Sequence, residues 1–299
     1  MKQVMRTGVW LGVLVLSASL GLAQQDFSGV EVSATPVSGT VHMLRANPAA
    51  GNIGVSVGAD GLLIVDDQFA PLADKIRAAL TGLADGPLRF ILNTHWHGDH
   101  TGGNATFGQQ APIIAHTNVR KRLMTEQNIG GRAIPAAPPA AWPVVTFDES
   151  VSIHFNGEEI RVVHFPRGHT DGDSVVFFTG SNVVHMGDHF FAGGFPFVDL
   201  DSGGDVEQFT ANIATVLDQL ADDVQVIPGH GPLSSKDELR AYHRMLVETT
   251  DIVRQRIAAE QSLEQITQAG FPDEWKDWQA GMVSAERWIA IIHRSLTRQ

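Results

Sequence analysis

Short apolar runs, punctuated by glycine, proline, asparagine and aspartate, fill the chain up to about residue 227, and stretches of helical period take over after it. The runs at 41–44, 53–57 and 62–65 have the length and β-branched content of strands. A turn-rich stretch, Asn47 to Asn52, joins the first two, and Gly58-Ala59-Asp60-Gly61 makes a hairpin turn before the third. Pro71 opens a helix over 71–83 that repeats Leu72, Ile76, Ala79 and Leu80 on one face. A buried strand at 88–92, a short strand at 112–115 and a helix at 117–127 follow. Residues 128–146 carry Gly130, Gly131, Pro135, Pro138, Pro139 and Pro143, which predicts irregular structure over most of that span. A loop of that length in a compact domain is a candidate wall of a binding site. Strands resume at 151–154, 160–163, 174–178 and 182–185, then a helix at 206–220 and a last strand at 224–227. From 235 onward the pattern is helical, broken at Gly270-Phe271-Pro272 and restarted near Ser284, with Trp275, Trp278, Trp288, Ile289 and Ile292 as packing residues. Strands then helix, twice, with no linker between, predicts an α/β chain of two packed sheets with helices outside.

Composition narrows this picture. The chain has 299 residues, 43% hydrophobic and 18% charged, which suits one continuous globular domain with a sizeable core. A formal net charge of -12 argues against nucleic acid or an anionic lipid surface as partner. The absence of cysteine excludes thiol nucleophiles, disulfide staples and cysteine-based zinc fingers. At the N-terminus, Lys2 and Arg6 precede an apolar run from Val9 to Leu20 and a small-x-small site at Gly21-Leu22-Ala23. That is the pattern of an export signal spanning 1–23, too short for a membrane anchor. Cleavage before Gln24 leaves a mature domain of 24–299, with a helical cap at about 235–299 and no stable membrane insertion. Loss of Lys2 and Arg6 takes the charge from -12 to -14. The expected location is the periplasm or the exterior.

The chemistry is concentrated after the strand at 88–92, in Asn93-Thr94-His95-Trp96-His97-Gly98-Asp99-His100-Thr101-Gly102-Gly103-Asn104. If the strand stays extended to its end, His95 and His97 point to one face. Gly98 allows a sharp turn that brings Asp99 and His100 to the same cavity. Imidazoles and a carboxylate converging in this way suit a divalent metal such as zinc. Three later spots sit where strands meet loops: Gly168-His169-Thr170-Asp171-Gly172-Asp173-Ser174, Met186-Gly187-Asp188, and Pro228-Gly229-His230-Gly231, whose glycines let the backbone approach closely.

Together these four motifs resemble the metallo-β-lactamase superfamily over nearly all of the mature chain. The resemblance implies an αββα sandwich with metals at one edge of the two sheets. Carried over by position, it implies that His95, His97 and His169 bind one zinc, that Asp99, His100 and His230 bind a second, and that Asp188 bridges both. It also implies a small-molecule acyl substrate: two ions ~3.5–4 Å apart acidify a water for attack on an amide, ester, lactone or thioester. Asp99 is the expected catalytic residue, orienting the water and moving its proton. Gly168-His169-Thr170 and Pro228-Gly229-His230-Gly231 look like the class B β-lactamases, so β-lactam opening is among the implied activities. Asp188, however, stands where many of those enzymes place a cysteine, and Phe190-Phe191-Ala192-Gly193-Gly194-Phe195 follows where their carboxylate-binding lysine would fall. The bridging aspartate is more like glyoxalase II, lactonases and other general hydrolases of the superfamily. An iron-dependent oxidoreductase of the same fold and a non-catalytic metal-binding protein are the competing classes, and Fe or Mn are the alternative metals to zinc.

Around this centre, Asp66 and Asp67 are candidates to orient the histidines. Trp96, Trp142, Phe191, Phe195 and the Asn47–Asn52 turn are candidate substrate walls. His42, His154, His164 and His185 read as strand residues, packed or solvent-facing. His116 reads as a helix cap or a partner of a ligand, His189 as pointing away from the metals, and His243 and His293 as surface groups.

Overall fold

A computed structural model describes residues 26–47 and 51–298. The export-signal segment and the middle of the 47–52 turn lie outside the described residues. The described residues open with an antiparallel meander, β1 (Glu31–Ser38), β2 (Val41–Asn47), β3 (Ile53–Gly58) and β4 (Gly61–Val65). Helix α1 (Ala73–Leu83) crosses over to β5 (Leu88–Asn93), which lies parallel to β4. Two single-turn helices, α2 (Gly98–Thr101) and α3 (Asn104–Phe107), lead to β6 (Ile113–His116) and then α4 (Thr117–Leu123). A small hairpin, β7 (Gln127–Ile129) with β8 (Arg132–Ile134), precedes β9 (Val145–Phe147), which closes a seven-stranded sheet ordered β1-β2-β3-β4-β5-β6-β9.

The second sheet has six strands in sequence order: β10 (Ser150–Phe155), β11 (Glu158–His164), β12 (Ser174–Phe178), β13 (Val183–His185), then, after α5 (Val206–Leu217), β14 (Gln225–Ile227) and β15 (Ser234–Ser235). The crossover through α5 makes β13 and β14 parallel. Helices α6 (Lys236–Ala258), α7 (Leu263–Ala269) and α8 (Ala285–Thr297) complete the chain.

Strand alternation sorts the core into layers. Met43, Leu63, Val65, Leu92 and Ile114 of the first sheet meet Ile160, Val162, Val176, Phe178 and Ile227 of the second. On the outer face of the first sheet, Val55, Ile64 and Ile91 pack against Ile76 and Leu80 of α1. On the outer face of the second, Val175, Val184 and Val226 pack against Phe209 and Ile213 of α5, Tyr242 and Leu246 of α6, and Trp288 and Ile292 of α8. Helix, sheet, sheet, helix is the αββα sandwich. Both faces of β4 are covered, which is why its residues read as an unbroken apolar run. No described helix is long and apolar enough to cross a membrane.

Two expectations change, and one strand appears that the pattern did not predict. Helix α4 stops at Leu123, not 127: Gln127 turns back, its Nε2 donating to the Arg122 carbonyl and to Thr125 Oγ1, and opens β7. The 128–146 span is less irregular than its prolines suggest, because Gly130 (φ 57°) and Gly131 (φ 86°) form the left-handed two-residue turn of a hairpin. Strand β1 carries no apolar alternation and is largely exposed; pairing with β2 holds it. In the cap, α6 starts from a capping box between Ser235 and Glu238, and Trp288 Nε1 donates to Thr249 Oγ1 at 3.0 Å.

Candidate metal centre

The ends of β5, β12, β13 and β14 converge on one edge of the sandwich. Beyond β5 the chain bends through Thr94–Trp96 to His97 (φ -63°, ψ 150°), which precedes α2, and that single turn delivers Asp99 and His100. His169 lies in the loop before β12, Asp188 in a 3₁₀ turn after β13 that is allowed by Gly187 (φ 50°), and His230 just past β14. Two groups of ligand atoms result, each with its members within 4.8 Å of one another: His95, His97, His169 and Asp188, and beside them Asp99, His100 and His230.

Asp188 stands between the groups. Its Oδ2 is 3.7 Å from His95 Nε2 and 3.3 Å from His169 Nε2, and its Oδ1 is 3.1 Å from His100 Nε2 and 3.2 Å from His230 Nε2. Asp99 Oδ2 lies 3.5 Å from His230 Nε2 and 3.6 Å from His100 Nε2. At 21% exposure its side chain is the most open of the seven, whereas Asp188 is 5% exposed.

The outward nitrogens test whether a cation fits. His95 Nδ1 meets Thr94 Oγ1 at 3.0 Å, and Thr94 Oγ1 in turn donates to Asp66 Oδ2 at 2.7 Å. His100 Nδ1 meets the same carboxylate oxygen at 2.7 Å. His97 Nε2 is 3.0 Å from Asp199 Oδ2, and His169 Nδ1 is 2.7 Å from the Phe197 carbonyl. Acceptors therefore hold the protons of four imidazoles on their outer sides and leave bare lone pairs facing inward. Inside, His97 Nδ1 and His169 Nε2 approach to 2.8 Å, and His95 Nε2 and Asp188 Oδ1 are buried without a hydrogen-bond partner. Burial pushes the His95 imidazole well below its ordinary range and brings His169 down to about 4, so both present neutral rings. Asp188 is held well below the usual carboxylate range: burial opposes this, but His230 and His100 beside it prevail. Unpaired inward lone pairs around a buried carboxylate are what divalent cations take up, and the residues fit.

All seven expected ligands are thus brought together. Of the two expected supports, Asp66 reaches His100 directly, while Asp67 acts one step back, its Oδ1 accepting from the Gly103 amide that follows the metal turn. Asp199 and the Phe197 carbonyl escaped the sequence reading, because Asp199 is 102 positions from His97 and sits in no ligand-like pattern.

The expected substrate walls fare differently. Phe191 stacks on His230 (centroids 4.9 Å, planes 9° apart) and touches the site. Phe195 does not; it is 1% exposed and packs under the cap against Phe271 and Trp288. Trp96, between the two inward histidines, packs instead into a cluster with Val119 and Leu123. Trp142 joins that cluster and donates Nε1 to the Ala137 carbonyl, away from the ligands. His116 caps α4 by accepting from the Asn118 amide. His189 points away from the metals and stacks on Phe209. His185 is fully buried, while His243 and His293 are half-buried rather than surface groups.

The family model for the Metallo-beta-lactamase superfamily matches residues 46–244, a span that includes all seven ligand candidates. The chain belongs to that superfamily. A hydroxyacylglutathione hydrolase of Haemophilus influenzae is 30% identical over 151 residues, 48% of this chain and 69% of that protein. Among solved structures, a metallo-beta-lactamase from Pontibacter korlensis superposes with a TM-score of 0.58 at 18% identity, covering 72% of this chain and 99% of that one. A stereoselective inverting sec-alkylsulfatase from a Pseudomonas species reaches 0.68 at 14% identity, and the match covers 89% of this chain but spans only 50% of the sulfatase. These likenesses establish the fold, and with the family match they make the chain a metallo-hydrolase.

Proposed function

We propose that this chain is an exported, binuclear zinc hydrolase that cleaves the acyl bond of a small molecule. The observation that carries this reading is the Asp188 carboxylate between the two groups: Oδ2 faces His95 and His169, Oδ1 faces His100, and His230 Nε2 stands 3.2 Å from both oxygens. His95, His97 and His169 would hold one ion, Asp99, His100 and His230 the other, and Asp188 both. Bound zinc supplies Lewis acidity toward the acyl oxygen and toward an attacking water. Asp66, Asp199 and the Phe197 carbonyl keep the imidazoles turned so that their lone pairs stay inward. Asp99, the most open of the carboxylates, accepts the proton of the attacking water and returns it to the leaving group. Phe191, stacked on His230, limits that ring's rotation and excludes water from one side.

Within this class, a thioester comes first for trial, because a relative at 30% identity is named for hydroxyacylglutathione hydrolysis. Opening of a β-lactam is the second reading, supported by the likeness of the fold to metallo-beta-lactamases.

Metal analysis of protein purified without supplementation should give two zinc ions per chain. Iron in their place, with oxygen consumption, would replace the hydrolase by an oxidoreductase. A glutathione thioester, an acyl lactone, an aryl ester and a chromogenic cephalosporin, each with and without chelator, then rank the substrates. Silence across all four in zinc-loaded protein would sink the acyl-hydrolase assignment.

A further inference from the structure

Gly51 and Asn52 bind no ion in the scheme above, yet they touch the second group of ligands from two sides. Both are buried and lead into β3, in the first sheet. Asn52 reaches across to the second sheet. Its backbone amide donates to the Gly229 carbonyl at 2.7 Å, and its Nδ2 donates to the carbonyls of Pro228 at 2.9 Å and Gly231 at 3.0 Å. Those three carbonyls bracket His230. Gly51 abuts the facing ligand: a Cβ there would lie 2.6 Å from His100 Cε1 and 2.9 Å from the Asp99 carbonyl oxygen. Gln68, 1% exposed, donates Nε2 to the Gly51 carbonyl and fixes that approach.

His230 depends on such a clamp more than the other ligands do. Among the described residues it is the one imidazole of the five whose outer nitrogen meets no acceptor. Its place therefore follows its backbone. The other backbone bonds of its loop, from the Gly229 amide to Gly187 and Phe190 and from the Ala192 amide to His230, stay within the turns of the second sheet. Asp99 and His100 come from the first sheet, so the second ion's ligands straddle the two, and Asn52 ties the sheets together there. His100 Nε2 and His230 Nε2 stand 3.4 Å apart. Two nitrogens at ~2.0–2.1 Å from a tetrahedral zinc are separated by about 3.3 Å.

We infer that Asn52 and Gln68 are positioning residues for the second ion. Gln68 acts on the His100 side through Gly51, Asn52 acts on the His230 side, and together they set the span between the two imidazoles. This rests on the two-ion reading proposed above and is independent of the reaction.

The test uses N52L and Q68M, which keep the shape of each side chain and remove its donor. Gln68 Oε1 is buried without a partner, so Q68M strips only the bond to Gly51 and guards against poor folding of N52L. Metal-free wild type, N52L, Q68M, H230A and N52L/H230A are titrated with zinc against a chromogenic chelator. The wild type should take up two ions. N52L and Q68M should hold one at wild-type affinity and the other about 10–100-fold more weakly. The weakened ion should be the one that H230A loses, and N52L should add no further loss in H230A. Equal weakening of both ions would make Asn52 and Gln68 general supports of the fold and overturn the inference. Two ions at unchanged affinity in N52L and Q68M would overturn it and leave the two-ion reading intact. A wild type that takes up a single ion, indifferent to H230A, would end that reading and the inference with it.

Discussion

At the scale of single residues, the centre depends on which nitrogen of each histidine carries the proton. Asp199 fixes this for His97: its Oδ2 accepts from Nε2 at 3.0 Å and leaves Nδ1 facing His169 Nε2 at 2.8 Å. An asparagine there keeps the shape but can present its amide nitrogen, a donor, to Nε2. The imidazole would then turn or shift its proton to Nδ1, the nitrogen that should bind metal. D199N is therefore expected to lower zinc affinity or activity about 10–100-fold with little change in chelated-protein stability. Competition with a chromogenic chelator measures the first and thermal melting the second; unaltered zinc affinity would remove Asp199 from the support of the centre. Residues of this kind were the least legible in the sequence. His95, His97, Asp99 and His100 announce themselves by crowding, and His169, Asp188 and His230 by their glycine-flanked strand ends. Asp199 has only a fold to bring it near, and Phe195 and Trp96 showed that an aromatic close in sequence to a ligand can be plain core.

Elements set how closely those residues can approach. The end of β14 runs against the turn that carries Asp188: the Gly229 amide donates to the Gly187 carbonyl at 2.7 Å and the Phe190 carbonyl at 3.0 Å. A Cβ at 229 would press on Asp188 Oδ1 and lie 2.6 Å from the Gly187 carbonyl carbon. G229A must therefore push apart the two strand ends that bring Asp188 and His230 together. Overpacking of this kind costs about 1–3 kcal/mol, and here it also separates ligands. The expected result is a lower denaturation midpoint and fewer than two zinc ions retained after gel filtration; a variant with full zinc and unchanged stability would show that the contact relaxes freely. Strands such as β4 and β5 were legible because burial on both faces writes a continuous apolar run, and α6 and α8 because their period is helical. Strand β1 and the β7–β8 hairpin were not, since main-chain pairing and a Gly130-Gly131 turn hold them without an apolar pattern.

For the molecule as a whole, the two sheets also meet through a polar contact that should make their packing sensitive to acid. His116 ends β6 in one sheet and His164 ends β11 in the other, and their rings stack with centroids 3.7 Å apart and planes 10° apart. Burial, reinforced by His164, brings His116 down to about 4, against the smaller opposing pull of Asp148 and Asp171. Burial also lowers His164, although its Nδ1 contact with the Asp173 carbonyl works the other way. Both rings are thus neutral in the fold at a pH where the unfolded chain, with histidines near 6.5, already binds protons. The folded state takes up fewer protons through that window, so this contribution to stability is complete above about pH 6.5 and is lost as the pH falls toward 4. His116→Asn keeps a side-chain acceptor for the cap of α4 and removes one titrating ring from the stack. Denaturant midpoints of chelated wild type and variant, taken at intervals from pH 7.5 to 4.5, should fall less steeply for the variant below pH 6.5. The histidines of the metal centre titrate in both proteins, so the difference between the two curves belongs to the stack. Parallel curves would mean that the sheets separate in acid for another reason, and that the stacked pair is already relaxed before its protons arrive.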